Sequence, residues 1–271
     1  MIPRDYITAW RARAPWVLDS QVEQDLIISR ALVEIFSEPH LRNALAFRGG
    51  TALYKLFIKP AARYSEDIDL VQVRGEPIGP TMNALRATLD PWLGKPQWKQ
   101  NEGRVTLVYR MGSEDAPPLP LRLKVEINSR EHFSAFGYSA VPFDVASPWF
   151  TGGTDIMTYQ IDELLGTKLR ALYQRRKGRD LFDLALALDL PDIDPRRVVE
   201  AFLAYMEKEE GRITRAQFER NIAQKLGMPQ FVADMTPLLA PGYTWEIEPA
   251  SQKVLRDLIG LLPGDPWKGV E

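Results

Sequence analysis

Apolar residues recur at three- and four-residue intervals through the first forty positions: Trp10, Ala14, Val17 and Leu18, then Val22, Leu26 and Ile27, then Leu32, Val33 and Phe36. That spacing predicts helices, with Pro15 and Asp19-Ser20 as breaks or caps. A short apolar run from Ala44 to Phe47 then meets Gly49-Gly50, and the periodic pattern resumes through Ala52, Leu53, Leu56 and Phe57. The natural reading is strand, tight turn, helix. Past Pro60, "DIDLVQV" alternates acidic or polar with apolar positions through Val73, as a half-buried strand does. Pro80 to Leu93 reads as a helix with Pro80 in its first turn. Two more strands are expected at "RVTLVYRM" from Arg104 and "LRLKVEI" from Leu121, separated by the Pro-rich "EDAPPLP". From about Tyr159 the segments "TYQIDELLGTKLRALYQ", "RDLFDLALALDL", "PRRVVEAFLAYMEKEE", "TRAQFERNIAQKLG" and "ASQKVLRDLIGLL" all carry helical spacing. The pattern predicts an α+β chain, with a mixed sheet covered by helices over residues 1–155 and a helical half over 156–271.

Composition sharpens this by exclusion. The 271 residues are 45% apolar and 26% charged, which is ordinary for a globular chain and supports one large domain or two modest ones. Cysteine is absent, which excludes thiolate zinc sites, thiol nucleophiles and disulfides and allows a reducing cytosol. Any metal must be held by oxygen or by the two histidines, and His40 and His132 are not spaced as ligands. No apolar stretch approaches the roughly 18 residues of a membrane span, and the opening segment lacks a signal peptide's apolar region. A cytoplasmic protein is expected. Net charge is −2, so nucleic acid binding would need a local patch. Lys168, Arg170, Arg175, Arg176, Lys177 and Arg179 supply one, with no acid from Lys168 to Arg179.

Residues two apart on a strand share a face, so Asp67 and Asp69 would present two carboxylates together while Ile68 and Leu70 enter the core. Magnesium suits such a pair, because it takes oxygen ligands and commonly binds one or two carboxylates plus substrate phosphates. An acidic pair can equally be the solvated face of a strand. The Gly49-Gly50 turn, followed by Thr51, allows close backbone approach at a helix start and so suits phosphate. Alone, it also reads as an ordinary strand-to-helix turn. Together the two place triphosphate and metal in one crevice. Lys168 and Arg175, seven residues apart, would share a helix face able to hold phosphate oxygens. Trp10 and Trp16 are expected to pack the core.

The stretch "GGTALYKLFIKPAARYSEDIDL" resembles the glycine-pair and D-x-D signature of the DNA-polymerase-beta-type nucleotidyltransferase superfamily. More narrowly, "FRGGTAL" from Phe47 followed by "RYSEDIDL" from Arg63 is similar to the AbiEii (MenT-like) toxins of bacterial abortive-infection and toxin–antitoxin systems. The resemblance implies a magnesium-dependent enzyme that transfers NMP from an NTP, with the 3′ end of tRNA as acceptor and an antitoxin as partner. It gives Asp67, Asp69 and Glu126 to the metal, and Arg48, Gly49, Gly50, Thr51 and Ser65 to the nucleotide. Arg63 flanks the same region and could steer triphosphate. Ser65 corresponds to a serine that, in some members, the antitoxin phosphorylates to inhibit the toxin. Lys168 would meet the phosphates, Asp180 or Asp183 would orient the basic groups or assist the chemistry, and Arg175, Arg176, Lys177 and Arg179 would face RNA. Glu126 shares its strand face with Lys124, so a simple surface ion pair is an alternative there. A small-molecule or protein acceptor, or a non-catalytic interaction module, are the competing functions.

Overall fold

The computed structural model of the chain describes residues 2–269. It falls into two compact units, one taking in residues up to Phe133 together with Tyr138–Tyr159, the other Ser134–Gly137 and the residues from Gln160 onward.

The first unit is built on β1 (Leu45–Arg48), β2 (Asp67–Gln72), β3 (Gln97–Asn101), β4 (Arg104–Gly112), β5 (Pro120–Asn128), β6 (Tyr138–Ala146) and β7 (Thr151–Tyr159). These form one sheet in the order β3-β4-β5-β2-β1-β7-β6. β2 lies between an antiparallel β1 and a parallel β5, and β1 pairs β7 in parallel, so the sheet is mixed. The sequence alternation is realised on the two central strands. Ile68, Leu70, Leu123, Val125 and Ile127 are buried, which turns Asp67, Asp69, Lys124 and Glu126 to the other face.

Three strands were not foreseen. All five residues of β3 are exposed, so this edge strand has no apolar face to announce it. β6 is the opposite edge and carries Pro142, which an edge tolerates because no neighbour needs its missing N–H. β7 includes Gly152 and Gly153, which interrupt the apolar alternation.

Helices α1 (Arg4–Trp10), α2 (Asp19–Ser37) and α3 (Pro39–Ala44) precede the sheet. After β1 the chain enters α4 (Gly49–Ala52), which continues as a π-helical turn over Leu53–Phe57, and α5 (Ile78–Leu93) follows β2. α2 packs on β5, β6 and β7 and buries Val22, Leu26, Leu32 and Phe36. Each such side chain contributes about 1.5–3 kcal/mol by leaving water. The first half of α2 also buries polar groups that have partners: Gln24 Nε2 donates to the Arg122 carbonyl at 2.7 Å, and Glu23 Oε2 accepts from the Glu114 amide at 2.9 Å.

The described residues of the second unit carry helices and no strand: α6 (Ile161–Gln174), α7 (Gly178–Ala187), α8 (Pro195–Lys208), α9 (Arg215–Leu226), α10 (Pro229–Ala233) and α11 (Ile247–Asp257), with short 3-10 turns. α6 packs closely on α8 because Gly166 has no side chain; a β-carbon there would stand 2.6 Å from Ala201 Cβ. The segment Ser134–Gly137 joins this unit through the buried Glu163 carboxylate. That group accepts from Ser134 Oγ at 2.8 Å, Ala135 N at 2.7 Å, Phe136 N at 2.9 Å and the Tyr205 hydroxyl at 2.7 Å. A mixed sheet with flanking helices, followed by a helical half, is the α+β architecture that the pattern predicts.

Candidate active site

Pairing register brings the acidic residues together. Asp69 stands opposite Glu126 on β5 and opposite Arg48 on β1, while Asp67 stands opposite Lys124. The Lys124 ammonium lies 3.2 Å from Asp67 Oδ2 and 3.1 Å from Glu126 Oε2. The ion pair that the sequence allowed between Lys124 and Glu126 is therefore present, and it extends to the D-x-D pair. Arg104 Nε approaches Glu126 Oε1 at 3.3 Å, and Arg48 is held by Glu131 at 2.6 Å. Burial, then the charges of Asp67 and Glu126, push the Asp69 carboxyl above the ordinary aspartate range, against the pull of Arg48 and Lys124. Burial works against the charged Lys124, but Asp67 and Glu126 outweigh it and hold the ammonium above the usual lysine value.

The glycine turn abuts these acids. Gly49 has φ +83°, a left-handed conformation that favours glycine, and a β-carbon there would collide with Asp69 Oδ2. Gly50 faces elsewhere: its β-carbon would lie 2.6 Å from Arg63 Nη2 and 3.2 Å from Ser65 Oγ. Thr51 Oγ1 and Ser65 Oγ are 2.9 Å apart. Arg63 is buried, with Nη1 donating to the Tyr64 carbonyl at 3.0 Å and its guanidinium over the Tyr54 ring. The two glycines thus sit between the carboxylates on one side and the Arg63–Ser65 wall on the other.

Among the described residues, no three carboxylate or imidazole side chains close into a ready-made metal cluster, and Lys124 stands between Asp67 and Glu126. The donor set still suits a hard divalent cation. It consists of carboxylate oxygens on paired strands, and Asp67 Oδ1 is buried with no hydrogen-bond partner. Asp67, Asp69 and Glu126 are the residues that fit such an ion.

A cavity of about 320 Å³ adjoins Thr51 and Ser65. Trp10 and Trp16 are buried as expected, but they also line this cavity, and both indole N–H groups donate to Asp25, at 2.8 Å and 3.1 Å. Lys55 completes that buried carboxylate's shell at 2.7 Å. Nothing in the sequence marks Asp25 as the centre of this network, because its partners come from three separate segments. His40 meets Thr81 Oγ1 at 3.1 Å and His132 meets the Gln72 carbonyl at 2.8 Å, so each has a local structural partner.

The second unit gathers Lys168, Asp180, Asp183 and Arg175. Lys168 Nζ is 3.3 Å from Asp180 and 2.8 Å from Asp183, both fully buried. Arg175 donates to Asp180 twice, at 2.6 Å and 2.7 Å. Burial disfavours the Asp180 carboxylate, but Lys168 and Arg175 more than compensate and hold its pKa below the usual range. Two expectations need correcting. Lys168 and Arg175 do not share a helix face, because α6 ends at Gln174 and Arg175 is extended; they meet instead through Asp180. The basic patch is also smaller than its sequence count. Lys168 and Arg170 are buried, and Asp234, distant in sequence, is shared by Lys177 at 3.5 Å and Arg179 at 3.9 Å, offsetting one of their two charges. Arg175, Arg176 and Lys177 remain exposed.

A mixed sheet carrying a D-x-D strand, with a glycine turn pressed against it, is the arrangement that the resemblance to nucleotidyltransferases implies. The chain belongs to the AbiEii nucleotidyl transferase toxins of type IV toxin–antitoxin systems, whose family profile matches residues 30–255. Its fold is similar to that of the nucleotidyltransferase toxin MenT4 from Mycobacterium tuberculosis H37Rv, with a TM-score of 0.64 at 16% identity over 97% of this chain and 91% of that one. A candidate nucleotidyltransferase from H. pylori matches with a TM-score of 0.56 at 16% identity, over 89% of this chain and 94% of that one. No protein of curated function matches the sequence. Among the described residues, no helix is long and apolar enough to cross a membrane.

Proposed function

We propose that this toxin transfers NMP from an NTP to the 3′ end of tRNA, with magnesium bound by Asp67, Asp69 and Glu126. The observation that carries the reading is the contact of Gly49 with Asp69, which puts a backbone able to meet phosphate directly against the carboxylates. When bound, the ion would offset charge on the α-phosphate and on the departing pyrophosphate. Gly49, Gly50 and Thr51 hold the β- and γ-phosphates, with Arg48 and Ser65 bordering them. Glu126 positions the acceptor hydroxyl and takes its proton. Following the family resemblance, Lys168 is the phosphate-facing cation, and Asp180 and Asp183 fix its ammonium. Arg175, Arg176, Lys177 and Arg179 are assigned to RNA, and Arg63 to steering the triphosphate. A cognate antitoxin is the protein partner, and the toxin works in the cytoplasm.

The test is purified protein with magnesium, total tRNA and each of the four NTPs labelled at the α-phosphate. Label is expected at the tRNA 3′ end from at least one NTP and none with Asp67→Ala. Unlabelled tRNA with all four would overturn the acceptor.

A further inference from the structure

We propose that Lys124 is a displaceable internal counter-ion of the carboxylate site, so that divalent cation and nucleotide load together. The inference rests on the metal reading above and adds a residue and a coupling to it. Lys124 stands opposite Asp67 on the paired strand and two residues from Glu126 on its own, and its single ammonium spans both, at 3.2 Å and 3.1 Å. The oxygens it occupies belong to the acids that would ligate the ion, so the two cations exclude one another.

The lysine is a poor permanent occupant. It satisfies Asp67 Oδ2 but leaves Asp67 Oδ1 buried without a partner. In the second unit, by contrast, both Asp180 oxygens are bonded, by Lys168 and Arg175. The Lys124 side chain is 28% exposed and carried on a flexible four-carbon stem, so it can swing away. A doubly charged ion can serve both Asp67 oxygens and the neighbouring acids, but entering alone it strands the displaced ammonium. A triphosphate on the Gly49–Thr51 turn supplies that ammonium with a new anion. Metal should therefore bind weakly alone and tightly with nucleotide, and by linkage the nucleotide gains equally from the metal. Lys124 acts here as a positioning residue.

Manganese(II) binding read by electron paramagnetic resonance tests this, with and without an equimolar mixture of the four α,β-methylene nucleoside triphosphates, which cannot be transferred. In the wild type, the analogues should tighten Mn²⁺ by about fivefold or more, the low end of ordinary coupling between ligands. Lys124→Met should bind Mn²⁺ alone more tightly by a similar factor and gain less from nucleotide than the wild type does. Lys124→Arg should restore the wild-type coupling, and Lys124→Gln serves if the methionine variant does not fold. Lys124→Met that binds Mn²⁺ no better than wild type, or a wild type in which nucleotide leaves Mn²⁺ affinity unchanged, overturns the proposal. Asp67→Asn separates the two readings. If it binds Mn²⁺ as the wild type does, the metal assignment itself fails; if it loses Mn²⁺ while Lys124→Met behaves as wild type, only the role of Lys124 fails.

Discussion

The two charged clusters use the same chemical groups to opposite ends. Around β2 and β5, three carboxylates gather about one ammonium, with Arg48 and Arg104 at the flanks, and Asp69 is pushed up by burial and then by the charges of its fellow acids. Between α6 and α7, Asp180 and Asp183 are matched by Lys168 and Arg175, and Asp180 is pulled down. The first cluster is half-exposed, sets three acids around one shared ammonium and leaves Asp67 Oδ1 without a partner, and on the proposed reading it takes a cation from outside. The second is closed, and its immediate work is to tie the end of one helix to the start of the next. Balance and exposure, rather than residue type, separate a cluster with an acid oxygen left unpaired from one whose charges are already matched.

The widest gap between the clusters should appear on removing one acid from each. Asp67→Ala or Asp69→Asn should lower nucleotidyl transfer by about 10³-fold or more, as expected when a metal's charge stabilisation is lost. Thermal unfolding should leave the midpoint unchanged or raised, since like charges are relieved. Asp180→Ala should instead cost about 3–5 kcal/mol in urea unfolding, because Lys168 and Arg175 are left facing a buried gap. Equal stability losses in the two would break the contrast. A smaller effect is expected at the turn. Gly49→Ala meets both a left-handed backbone and Asp69, and should cost about 1–3 kcal/mol, along with activity; Gly50→Ala meets the movable end of Arg63 and should cost less.

The mildest effect concerns pH. Burial holds the Lys225 ammonium down at about 8, with Asp180 opposing and Arg176 adding to the shift; its Nζ donates to the Leu172 and Tyr173 carbonyls near the end of α6. Because an unfolded lysine titrates near about 10.4, the unfolded chain binds more protons between pH 8 and about 10, and stability should rise with pH across that window. Lys225→Met should flatten the rise in urea midpoints measured from pH 8 to 10.

The sequence showed the central part of the candidate site well because its signals are local. Alternation along β2 turned Asp67 and Asp69 away from the core, and alternation along β5 put Glu126 on the matching face. The glycine pair announced its turn for the same reason. What stayed hidden was set by topology. Glu131 clamps Arg48, Asp234 pairs with Lys177 and Arg179, and Asp25 collects Trp10, Trp16 and Lys55 from distant segments, none of which leaves a periodic trace. The edge strand β3 escaped because all its residues are exposed, and β6, which does alternate through Val141, Phe143 and Val145, was masked by Pro142.

The alignment of Asp69 with Glu126 is enforced by residues that never touch a substrate. Shifting β2 by a single position against β5 would drive Ile68 and Leu70 into water and pull both aspartates inside. Misassembled copies are thus penalised by their greasy side long before chemistry is attempted, so the packing proofreads the catalyst. Selection on packing alone would keep positions 67, 69 and 126 on one face, whichever polar residues stood there.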